Sequence, residues 1–151
     1  SINLTGVNLY SIFSYTKITS VPSNIFDNCT AVTNMSDLFR GCYLLTSIPN
    51  DIFKYNTLVN NFSYTFHFNG LVTEIPVDIF RYNTLATNFY QTFQLCGGLT
   101  SLPTDLFRYN TLATDFGSTF QFCSLTSLPT DLFRYNTKIT SRVFEKNRMW
   151  K

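Results

Sequence analysis

Phe80-Arg-Tyr-Asn-Thr-Leu85 returns one period later as Phe107-Arg-Tyr-Asn-Thr-Leu112. Phe53-Lys-Tyr-Asn-Thr-Leu58 precedes them and Phe133-Arg-Tyr-Asn-Thr137 follows. The prolines keep the same beat: Pro22, Pro49, Pro76, Pro103 and Pro129 are 27, 27, 27 and 26 residues apart. Self-similarity at a fixed period is the mark of a stacked repeat, whose single unit cannot bury its apolar face alone. The chain therefore reads as one repeat domain over 1–151. Its units are 22–48, 49–75, 76–102 and 103–128, with partial units at 1–21 and 129–151. The last full unit is one residue short where Gly97-Gly98 becomes Ser124, which places the deletion in a turn.

Aligning the units produces columns. Phe26, Phe53, Phe80, Phe107 and Phe133 form one, and Phe13, Phe39, Phe66, Phe93 and Phe120 another. Met35, Phe62, Phe89 and Phe116 form a third. Aliphatic columns begin at Ile18 (then Leu45, Val72, Leu99, Leu125) and Val21 (then Ile48, Ile75, Leu102, Leu128). Columns that stay apolar in every unit belong to the shared core.

Within a unit, Leu99-Thr-Ser-Leu-Pro103 is β-prone and is expected to stack into a narrow parallel sheet. Thr104-Asp-Leu-Phe-Arg-Tyr-Asn110 predicts a helical turn capped by Thr or Asp. Asp115-Phe-Gly-Ser-Thr-Phe-Gln-Phe-Cys123 predicts a second. Its cap column is Asn34, Asn61, Asn88 and Asp115, and its apolar residues Phe116 and Phe120 are four apart.

The four cysteines raise the question of disulfides or metal. Cys42, Cys96 and Cys123 share a slot with Asn69, and Cys29 shares another with Asn56, Asn83, Asn110 and Asn136. A slot that exchanges Cys for Asn points to a buried group that hydrogen-bonds to backbone turns, and away from a metal ligand; the remaining alternative is an opportunistic disulfide between the stacked neighbours Cys96 and Cys123.

Composition narrows the function. Charged residues make up 13%, against about 25% in an ordinary domain, so Thr, Ser and Asn carry the polar surface. A net charge of +2 points away from nucleic acid as the main partner. Lys146, Arg148 and Lys151 form a local basic tail. No apolar run reaches the length of about 20 residues that a membrane span needs, so membrane insertion is not expected. The chain opens at Ser1 with no signal-peptide pattern, as a mature protein or a fragment of a longer one would.

Thr30-Ala-Val-Thr-Asn-Met-Ser-Asp-Leu-Phe-Arg-Gly-Cys42, followed by Leu45-Thr-Ser-Ile-Pro49, resembles the BspA-like leucine-rich repeats, and more closely the 26-residue repeat of bacterial surface proteins. The resemblance covers nearly the whole chain. Later units depart from it, with Phe in place of the first Met and Thr65, Thr92 and Thr119 in place of the second. It implies an extracellular or cell-surface module, or one on a virion surface, from a bacterial or phage setting. It carries over no catalytic residue and no cofactor. The fold class expected from repeat and resemblance together is α/β: a right-handed, leucine-rich-repeat-like solenoid of 26–27-residue units, built from short parallel strands and short helical turns. The pattern breaks after Thr137, where Arg142 falls near the Phe116 column, as in a cap or at the start of something else.

Three sets of residues are candidates for a binding face. Tyr55, Tyr82, Tyr109 and Tyr135 repeat beside Lys54, Arg81, Arg108 and Arg134, which stand three residues after Asp51, Asp78, Asp105 and Asp131; such a tyrosine ladder either packs on the coil or presents an aromatic strip. A second set lies on the second expected helical turn. There the sequence varies freely and is expected to face out: Ser36/Ser63/Tyr90/Gly117, Asp37/Tyr64/Gln91/Ser118 and Arg40/His67/Gln94/Gln121. His67, the sole histidine, has polar column-mates and is expected to be exposed, neither ligand nor base. The third set is a hydroxyl strip, Thr19, Thr46, Thr73, Thr100 and Thr126 beside Ser20, Ser47, Glu74, Ser101 and Ser127. Asn3, Asn28, Asn34 and Asn61 open glycosylation sequons of the kind chance produces in a chain rich in Asn, Ser and Thr. The functional expectation is a non-catalytic binding or adhesion module for a protein or glycan. The alternative is a spacer or assembly subunit of a virion or surface filament, meeting copies of itself through open ends.

Overall fold

The computed structural model describes residues 8–141. The Asn3 sequon, the pattern break at Arg142 and the basic residues Lys146, Arg148 and Lys151 lie outside them, as do parts of both partial units.

Successive units lie one on another as coils. The α/β expectation is corrected here. Among the described residues there is no helix, and strand pairing is confined to isolated parallel bridges linking Asn34 to Asn61, Asn61 to Asn88, and Asn88 to Asp115. The chain is therefore neither an α/β protein nor a solenoid of helices and strands; it is built almost entirely of turns.

Residues 88–96, the counterpart one unit earlier of the expected second helical turn 115–123, show why. Every backbone N–H in this stretch has a partner. Phe89, Gln91, Phe93 and Leu95 donate to Asp115, Gly117, Thr119 and Gln121 of the next coil at 2.7–3.0 Å, and Asn88 donates to Asn60 of the preceding one at 3.3 Å. Thr92, Gln94 and Cys96 close turns onto the carbonyl three residues back, and Tyr90 donates to the Asn88 side chain at 2.9 Å. An α-helix would send every N–H four residues back along its own chain. Here alternate ones leave for the neighbouring coil. The backbone is also left-handed at two places four residues apart in each coil: Asp37 and Gly41, Tyr64 and Phe68, Gln91 and Leu95, Ser118 and Phe122, with φ between 52° and 68°. A right-handed helix cannot pass through such residues. The Asn/Asp column thus caps turns, not helices: each Oδ1 accepts from the N–H two residues on, an Asx turn.

The first expected helical turn is also a run of three-residue turns. Ile79, Arg81, Asn83 and Ala86 donate to Pro76, Asp78, Phe80 and Asn83. The segment expected as strand forms no ladder; in its column Thr46 donates to Thr19 at 3.4 Å. Its burial explains this. Leu99 is buried, Thr100 and Ser101 are exposed, and Leu102 turns inward again. Inward residues three apart do not fit a strand, which alternates sides every residue.

The core is a set of ring stacks along the coil axis. Phe53, Phe80, Phe107 and Phe133 follow one another at 5.9–6.2 Å between centroids, and Phe39, Phe66, Phe93 and Phe120 at 5.5–5.8 Å. The columns meet at a tilt, as Phe80 does with Phe89 at 4.9 Å. Such pairs are worth about 0.5–1.5 kcal/mol each beyond the area they bury.

Candidate functional site

Polar ladders thread the same core. Asn83 is fully buried, and its Nδ2 donates to the Phe53 and Asn56 carbonyls of the preceding coil at 3.2 and 2.9 Å. Asn56, Asn110 and Asn136 repeat the arrangement. In the other slot Asn69 donates to Phe39 at 2.9 Å, and the thiols of Cys42, Cys96 and Cys123 reach Phe13, Phe66 and Phe93 at 3.0–3.1 Å. All four cysteines, Cys29 included, are free and buried. Burial raises their thiol pKa values: that of Cys123 to about 12, that of Cys96 further, and those of Cys29 and Cys42 in the same direction. Among the described residues no three His, Cys, Asp or Glu side chains gather as a metal site would require.

The second candidate face differs from its expectation. Ser36, Asp37, Ser63, His67, Gln94, Gly117 and Ser118 are buried, and Arg40, Tyr64, Tyr90, Gln91 and Gln121 half-buried, so these columns do not project freely. Their side chains bond to one another. His67 Nε2 bonds to Gln94 Oε1 at 3.0 Å, and Gln94 Nε2 donates to Gln121 Oε1. Arg40 pairs with Asp37 at 2.8 Å and lies 4.9 Å from the Tyr64 ring, which meets Tyr90 edge-on at 5.4 Å. Gln91 donates to the Tyr90 hydroxyl. Burial, then the Arg40 charge, holds the His67 imidazole below its ordinary value of 6.5. The exposed-histidine expectation fails because the stacked coil above supplies a glutamine that covers the ring.

The tyrosine strip has the opposite character. Tyr55, Tyr82, Tyr109 and Tyr135 are all exposed, at 37–48%. Its coil element meets the bridged one in the phenylalanine core, through the Phe53–Phe62 and Phe53–Phe66 contacts. Cations order the rings. Arg81 lies 5.8 Å from Tyr82 and 5.4 Å from Tyr109, and Arg108 lies 5.7 Å from Tyr109 and 5.5 Å from Tyr135. Lys54 and Arg134 stand over Tyr55 and Tyr135. Arg81 and Arg108 also reach Asp78 and Asp105 at 3.8 Å, exposed contacts worth little in themselves. At one end of the strip Ser23, Asn24, Asp27, Asp51, Lys54 and Tyr55 line a shallow polar cleft. The hydroxyl strip is exposed along its length and forms no comparable network.

Two features were not read from the sequence. One is the threonine ladder: Thr65, Thr92 and Thr119 are fully buried, and each hydroxyl lies within hydrogen-bond reach of a carbonyl in its own coil and one in the preceding coil. The other is the left-handed column Tyr15, Gly41, Phe68, Leu95 and Phe122, where a lone glycine among large side chains was the signal.

No family matches the sequence, and no curated relative matches it. Among solved structures, the chain is similar at a TM-score of 0.46 and 22% identity to a chain of the Toll–Spatzle complex, described as a molecular hub in Drosophila development and innate immunity. The similarity covers 92% of this chain and 23% of that one. At that score it carries no argument about this protein. No helix among the described residues is long and apolar enough to cross a membrane.

Proposed function

We propose that the chain is a non-catalytic binding or adhesion module that meets a protein or glycan partner through the strip of Tyr55, Tyr82, Tyr109 and Tyr135. One observation carries this: four exposed rings on successive coils, each held beside a cation. Holding a large amphipathic side chain in place before binding lowers the ordering cost of recognition. The glutamine row, by contrast, spends its polar groups on itself. Display on a cell or virion surface rests on the resemblance of residues 30–49 to bacterial surface repeats.

The test is a glycan and host-protein array probed with the purified chain and with Tyr82→Ser/Tyr109→Ser. The expected result is a partner whose binding the double substitution weakens at least tenfold. An array with no partner, or a partner bound equally by the variant, counts against the strip.

A further inference from the structure

The repeat that builds the tyrosine strip changes character at its first coil. Lys54, Arg81, Arg108 and Arg134 share one column, and the member that precedes them is Asp27. In the same coil Asn24 precedes the aspartate column and Asn28 the tyrosine column. Arg81 and Arg108 each reach the ring of the next coil, Tyr109 at 5.4 Å and Tyr135 at 5.5 Å. The residue placed to do this for Tyr55 is Asp27, a carboxylate. Lys54 stands 5.4 Å over the Tyr55 of its own coil. Tyr55 is the most exposed ring of the strip, at 48% against 37–39% for the others. The cleft lined by Asp27, Asp51, Lys54 and Tyr55 opens at this place, with a volume of about 180 Å³. Among the described residues Arg81 and Arg108 meet Asp78 and Asp105, and no ion pair holds Asp27 or Asp51. Leu58, Leu85 and Leu112, three residues beyond the tyrosines, are also exposed, at 36–44%.

We propose that this cleft receives an arginine side chain of a protein partner, whose apolar residues lie along the tyrosines and leucines of the following coils. The inference rests on the strip being the binding face, and it narrows the partner from protein or glycan to protein. A guanidinium carries a planar fork of donors that suits carboxylates, and it stacks on aromatic rings. Arg81 and Arg108 already hold such a place beside the ring one coil on. A guanidinium from outside would stand where the column's own cation is missing, and so continue a contact the fold makes twice. Charge points the same way. Each later coil sets one aspartate against one cation, whereas the first contributes Asp27 with neither cation nor ring. The leucines decide the class of partner. An aliphatic column beside the rings is matched by the apolar side chains of a protein surface, not by the hydroxyls of a sugar.

Titration of the isotope-labelled full chain with N-acetylarginine amide, followed by NMR, tests the cleft, with N-acetylglutamine amide and calcium chloride as comparison probes. The arginine probe is expected to shift the backbone amides of Asp27, Asp51 and Tyr55 saturably, where the glutamine probe does not. Asp27→Arg gives the first coil the residue of the later ones and is expected to weaken the arginine probe at least tenfold. Asp27→Asn removes only the charge and is expected to weaken it in the same direction, which covers the case of a fold disturbed by the longer side chain. Tyr82→Ser/Tyr109→Ser is expected to leave these shifts unchanged, so the cleft and the strip are read separately. An arginine probe that shifts none of the three amides overturns the proposal. So does one that binds both Asp27 variants as it binds the wild type, or calcium that saturates the same amides at a lower concentration than arginine. An array partner weakened by the tyrosine pair but not by Asp27→Arg leaves the strip standing and removes the cleft, and a glycan in that role does the same.

Discussion

Residues 88–96 and residues 99–103 lie in the same repeat, yet they hold the stack together in opposite ways. In the first stretch all backbone N–H groups are bonded, four of them to the next coil. In the second, Leu99 donates back to Cys96 at 3.0 Å, while Thr100 and Ser101 face water. The second stretch has the more β-like composition. What decides pairing is the inward pattern: Phe89, Thr92, Phe93 and Cys96 are drawn against the ring stacks and polar ladders, which sets the backbone at bonding distance from the next coil. A corner with two adjacent outward residues has no such constraint.

The comparison can be broken hardest at a buried ladder. Asn83→Leu keeps the branching of the side chain but strips two donors from the Phe53 and Asn56 carbonyls and adds bulk, and is expected to cost about 2–4 kcal/mol in chemical denaturation. Thr100→Ala/Ser101→Ala on the open corner is the control and should stay within about 0.5 kcal/mol. An Asn83→Leu loss no larger than the control would remove the ladder from the account of stability.

Ser118→Gly acts in the other direction. Ser118 is buried at φ 53°, and glycine there should stabilise the chain by about 1 kcal/mol, read as a higher melting temperature. Unchanged melting would mean that the left-handed places carry no strain.

The smallest effect is a pH dependence at His67. The groups around it are Gln94, Arg40, Asp37 and Tyr64, and the net result is a value below 6.5. Once pH falls below 6.5, the unfolded chain binds more protons than the folded one. Stability from this group is therefore complete above that value and declines as pH drops through the window down to the folded value. His67→Gln, which copies Gln94 and Gln121, should flatten that part of the profile as followed by melting temperature. A slope that survives the substitution would assign it to the carboxylates.

The residues placed Tyr82 and Tyr109 in a repeating column beside Arg81 and Arg108, and left open whether the rings pack on the coil or face out. Only the stacking of the coils decided their exposure. His67 was misjudged for a physical reason: polar column-mates signify water only when no neighbour bonds them, and here each is bonded by the residue one coil away. Phe68 and Leu95 escaped notice because a hydrophobic residue in a repeat reads as core unless the backbone conformation is known.

The sequence by itself determined the period, the phenylalanine columns and the small polar slots shared by Asn83 with Cys29 and by Asn69 with Cys96. Those are properties of side-chain character, repeated at fixed spacing, and they need no coordinates. Tertiary structure alone decided whether each N–H closed a helix, entered a sheet or crossed to another coil, and where φ turned positive. The spacing of Phe89 and Phe93 suits a helix as well as it suits these turns. Only the stacked coil, offering carbonyls at Asp115, Gly117, Thr119 and Gln121, makes the crossing bonds available and so selects the turns.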